Sequence, residues 1–206
     1  MTHSLHRVGT EDSLSRDFVV AALPAMGINN AGHEVKLQAF LRLALKHNPK
    51  NYGVGSYGNQ FSQNGEDIIQ HATGMAHSVF TDVADVTAFL KDLKAADLGV
   101  SVIVSGILDT VNKAVRDAGL KRHTVNVSLG VWGNTKRLPP TEVMEVTTMC
   151  GHGMISVNLV RKLLDDIRSG ATTAEEAGKS LAAPCVCGIF NPARAAELLA
   201  AAAAKK

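Results

Sequence analysis

Ala76-His77-Ser78-Val79-Phe80-Thr81 and Val100-Ser101-Val102-Ile103-Val104-Ser105 are the two segments on which the fold turns. Both are short and apolar, with the β-branched and aromatic residues that suit strands. Between them Val83, Val86, Leu90 and Leu93 recur at helical spacing up to Gly99. Gly106 opens a second helical pattern, with Ile107, Val111, Ala114, Val115 and Ala118 on one face, and His123 to Leu129 reads as another strand. Strands and helices alternating at these lengths imply crossover connections. They predict an α/β fold with a mostly parallel sheet built from βαβ units.

Upstream, Asp17 to Leu23 is a buried strand closed by Pro24, and Leu37, Phe40, Leu41, Ala44 and Leu45 mark a helix over 33–47 that stops at Asn48-Pro49. Gly53-Val54-Gly55-Ser56-Tyr57-Gly58 carries the glycine spacing of a dinucleotide-binding turn. That turn needs a helix opening at its third glycine, and Asn59-Gln60-Phe61-Ser62 supplies none, so a loop or hairpin is expected. Downstream the pattern is helical: Pro139 to Met149, Asn158 to Ser169, Thr172 to Leu181 with Thr172 and Glu175 as a capping box, and Pro192 to Ala204 capped by Asn191. The expected organisation is a loosely held polar arm (1–16), an α/β core (17–135) and a helical, cysteine-bearing part (136–206) packed on the core as one unit.

The 206 residues hold 21 basic and 19 acidic side chains, scattered, and aromatics are only 4%. No basic stripe suggests nucleic acid. The apolar runs are far shorter than the roughly 20 residues that span a bilayer, and the polar N-terminus lacks the order of a secretory signal. Three cysteines in such a chain point to a reducing cytoplasm, where thiols serve as ligands or nucleophiles.

All three lie in two glycine-bearing loops, Met149-Cys150-Gly151-His152-Gly153 and Cys185-Val186-Cys187-Gly188, each running into a helix. A thiol near a helix N-terminus ionises more readily, so both loops are expected to face one anionic centre. One cysteine plus a Cys-x-Cys pair suits an iron–sulfur cluster, and three thiolates on a [4Fe-4S] cube leave one iron open as a Lewis acid. In ligand count the chain is similar to three-cysteine iron–sulfur hydro-lyases. The expectation is a lyase, hydratase or desulfidase acting on a small anionic substrate. In it Cys150, Cys185 and Cys187 bind the cluster, His152 is an acid or base, and Ser156, Asn158, Asn191 and Arg194 hold the substrate.

The same Met-Cys-Gly-His-Gly loop resembles that of the proline racemase and hydroxyproline epimerase family, in which two thiols move a proton at an α-carbon. That resemblance implies a cofactor-independent isomerase with Cys150 as one base and Cys185 or Cys187 as the other. Zinc held by Cys150, His152, Cys185 and Cys187 is a third reading. A fourth is a nonenzymatic metal or cluster carrier or accessory protein, and a fifth is that all three cysteines are small buried residues at helix packing points; a homo-oligomer or a partner subunit is compatible with each. The remaining histidines, His33, His47, His71, His77 and His123, share no ligand spacing and are expected at the surface or in caps.

Overall fold

The computed structural model describes residues 2–205. After a 3-10 turn (Thr2–Leu5) and α1 (Glu11–Leu14) come β1 (Phe18–Leu23), α2 (His33–Ala44), β2 (Asn51–Val54), β3 (Gly58–Asn59) and α3 (Gly65–Gln70). They are followed by β4 (Ala76–Phe80), α4 (Val83–Ala96), β5 (Ser101–Ser105) and α5 (Leu108–Asp117). The chain closes with α6 (Thr141–Thr147), α7 (Val157–Arg168), α8 (Ala174–Ala182) and α9 (Pro192–Ala204).

The strands form one sheet in the order β3-β2-β4-β1-β5, and every neighbouring pair is antiparallel. This corrects the expected mostly parallel sheet. β1 is antiparallel to both β4 and β5, with Val20 opposite Ser78 on one side and Val104 on the other. β4 and β5 therefore run the same way, as their βαβ pattern implies, but β1 lies between them. β1 and β2 are likewise split by β4. Two interleaved split β-α-β units give the arrangement.

One further expectation gives way: residues 123–129 form no strand, and the sheet ends at β5. The glycine-rich stretch is a hairpin, one of the two forms expected of it, in which β2 and β3 pair with Gly53 opposite Asn59.

Alternation along the strands builds two cores. Phe18, Val20, Ala22, Ala76 and Phe80 face α2, α3, α4 and α5, where Phe89 stacks against Phe40 and Phe80 with ring centroids 5.2 and 5.5 Å away. Val19 and Val79 face the opposite layer, made of α6 to α9. Each fully buried Phe or Leu contributes roughly 1.5–3 kcal/mol. The C-terminal helices start where their caps dictate. Ser156 accepts from Leu159, Asn191 from Arg194, and Thr173 with Glu176 makes the capping box, one residue beyond the expected pair.

The N-terminal arm is docked rather than loose. Arg7 pairs with Asp17, Val8 N–H donates to Thr148, and Val8 C=O accepts from Arg194. Among the described residues no helix is long and apolar enough to cross a membrane.

Candidate functional site in the cysteine loops

Where α6 ends, Cys150 turns back onto Thr147 and then enters Gly151 and Gly153, both left-handed at φ 69° and 73°. This turn points the N–H groups of His152 and Met154 at the Cys150 sulfur. Where α8 ends, Cys185 N–H bonds Ala182 C=O, Gly188 N–H bonds Cys185 C=O at 2.9 Å, and Cys187 is delivered next to Gly55 of the hairpin.

The two loops meet. Cys185 hydrogen-bonds both Cys150 and Cys187, and the Cys187 sulfur lies 3.8 Å from Nδ1 of His152. All three thiols are buried beneath the exposed segment 151–154.

Their protonation differs. The bond from Cys185, aided by the His152 and Met154 N–H groups, lowers Cys150 from 9.0 to about 6 against the opposing effects of burial and the nearby Cys187. Cys185 is pushed strongly upward because its proton bridges to Cys150 and Cys187 in a desolvated setting. Of Cys150 and Cys185, the activation expected at both loops thus falls on Cys150, and its donors include loop N–H groups rather than a helix terminus. The stabilisation linked to this ionisation is complete above the ordinary thiol value and is lost as pH falls through about 6. In reduced, metal-free protein the ultraviolet thiolate absorbance should rise with a midpoint near 6, and Cys150→Ser should remove that step. A first thiolate step that stays in the ordinary range would contradict the arrangement.

The sequence did not single out the side chains that hold the loops. Asn59, fully buried in β3, donates to the carbonyls of Ala182, Ala183 and Cys185 at 3.0, 3.1 and 2.9 Å. Asn51 donates to Phe190. Arg7, fixed by Asp17, reaches the carbonyls of both Met149 and Ile189, one in each cysteine segment. An asparagine in a glycine-rich run reads as a turn residue, and an arginine in a polar arm reads as surface, so nothing local marks either. His77, expected at the surface, is buried in β4 opposite Ala21 and Gly53. It points to the same side of the sheet as Val79, and Gly188 rests on the Gly53 backbone beside it.

Two of the expected substrate residues, Asn191 and Arg194, are engaged away from the thiols. Asn191 caps α9 and bonds Asp17 and the Arg16 carbonyl, while Arg194 bonds Asp17, Ser13 and Val8. Burial lowers the Arg194 pKa and Asp17 opposes that shift. Both side chains are occupied in docking the arm. Ser156 caps α7 and Asn158 is exposed on its first turn.

Among the described residues no group of three or more histidine, cysteine or carboxylate side chains is arranged to hold a single metal ion. No known protein family, no curated protein and no solved structure matches the chain.

Proposed function

We propose that this chain is an iron–sulfur protein whose cluster is held by Cys150, Cys185 and Cys187, with one iron left free of protein thiolate. The observation that supports this reading is the meeting of the chain's three cysteines, from two separate loops, at one buried point. Tetrahedral zinc would need the thiols and His152 aimed at one centre, and they are not so aimed. In a four-iron cube each thiolate binds its own iron, so the sulfurs must surround a volume rather than share a focus. Admitting that volume requires the thiols to part. The exposed segment 151–154, with its two left-handed glycines, is the part of the wall that borders solvent.

Bound there, the open iron would polarise a hydroxyl, carboxylate or sulfur group of a small anionic substrate. His152, exposed and beside Cys187, would exchange a proton with that substrate. Ser156 and Asn158, at the start of α7, remain substrate contacts in this proposal; Asn191 and Arg194 do not.

The test is iron and acid-labile sulfide analysis of protein purified without oxygen or rebuilt with ferrous iron and sulfide. The expected protein is brown, with iron and sulfide in equal amounts. Cys150→Ser should lose both while its circular dichroism stays unchanged. Wild-type protein that takes up neither would overturn the proposal.

A metal-free reading is favoured by one specific observation: Cys150 and Cys185 adjoin, with the His152 and Met154 N–H groups aimed at the Cys150 sulfur. That pairing suits thiol–disulfide exchange, in which a thiolate attacks and an adjacent thiol resolves.

A further inference from the structure

β5 is the last strand of the sheet: β1 pairs with one side, and among the described residues no strand pairs with the other. An open edge presents a row of N–H and C=O groups ready to accept another strand. Beside it lies a cavity of about 820 Å³, bordered by every residue of β5 on one side and by Lys121 to Ser128 on the other. None of the three cysteines borders it.

That second wall has the pattern of a strand without the pairing of one. Val125, Val127 and Leu129 alternate with Thr124, Asn126 and Ser128 and are 44, 63 and 80% exposed; Val131 and Trp132 follow at 56 and 83%. Among the described residues no backbone group from Lys121 to Trp132 bonds another backbone group. Side-chain ties from Arg122 to Asn112 and from His6 to Ser128 hold the segment across the gap from β5. The chain thus carries an edge that lacks a strand and a strand-patterned segment that lacks an edge.

We propose that two copies of this chain form a symmetric dimer in which residues 123–129 of each lie as a sixth strand along β5 of the other. A twofold exchange satisfies both features at once and closes on itself, leaving neither copy's β5 unpaired. The apolar side chains from Val125 to Trp132 offer on the order of 400 Å² of exposed surface. A standard stable interface buries roughly 800 Å² per partner, and here the exposed apolar residues from Val125 to Trp132 are joined by the β5 edge in supplying the contact.

Sedimentation velocity on the full chain at tens of micromolar is the first experiment. A dimer is expected. Val127→Pro, which removes a ladder N–H, and Trp132→Ser should each convert it to monomer with unchanged circular dichroism, since both side chains are exposed. A short bis-maleimide should then join Ile103→Cys chains to Val127→Cys chains in a mixture. A wild-type monomer over the whole concentration range would overturn the proposal, as would a dimer indifferent to both substitutions. Coupling only within one chain carrying both cysteines would assign the segment to its own edge and overturn it as well.

Discussion

Asp17→Ala should destabilise the protein by about 3–5 kcal/mol, the cost of removing one partner from a buried ion pair. Asp17 is fully buried in side chain and meets two guanidinium groups, Arg7 on one oxygen and Arg194 at 3.0 Å on the other, with Asn191 donating as well. Both arginines are almost fully buried. Without the carboxylate two positive charges face each other in an apolar setting. Replacing the whole set, with Asp17→Leu, Arg7→Met and Arg194→Met together, should recover much of the loss, because apolar side chains of similar volume leave no charge uncompensated. Urea unfolding of the single and triple variants measures both. A loss under about 1 kcal/mol for Asp17→Ala would mean the charges are hydrated rather than buried. The effect should reach the thiols too: Arg7 freed from Asp17 no longer fixes the Met149 and Ile189 carbonyls, so maleimide labelling of the cysteines should quicken.

Gly188→Ala is the second large effect. Gly188 is left-handed at φ 77°, and a Cβ there would stand 2.5 Å from the Gly53 nitrogen, 2.6 Å from the Tyr52 carbonyl carbon and 2.8 Å from the Gly53 Cα. These are backbone atoms of a strand inside the sheet, and they cannot swing aside as a side chain would. The left-handed backbone costs a residue with a Cβ about 1–2 kcal/mol, and the forced displacement adds about 1–3 kcal/mol. Gly153→Ala is the control: it is left-handed at φ 73° but open, with nothing within 4 Å of a new Cβ, so it should lose only about 1–2 kcal/mol. Equal melting temperatures for the two variants would show that Gly188 does not press on the hairpin.

Much of the secondary structure was legible because caps and periodicity are local. Asn191 followed by Pro192 fixes the start of α9, and Ser156 fixes that of α7. The capping box slipped by one residue because Thr172-Thr173-Ala174-Glu175-Glu176 offers two registers with the same chemistry. Strand direction was not legible. β1 is apolar throughout, as a strand buried on both faces must be, and that pattern is the same in a parallel sheet and in the centre of an antiparallel one. The segment 123–129 carries strand composition, but composition cannot say which edge, or whose, will receive it. At the site, the cysteine loops stood out by residue type and glycine context. Their supports did not, because Asn59, Asn51 and Arg7 act through backbone carbonyls far along the chain.

Arg7 also imposes an order of events. It ties Met149 and Ile189, 142 and 182 positions away, so its contacts close only after Ile189 has left the ribosome. Until then the two thiol loops lack their common clamp, and Cys150 emerges ahead of Cys185 and Cys187. A metal or oxidant that meets the chain in that interval meets a single thiol; the trio is complete only once Cys187 has followed.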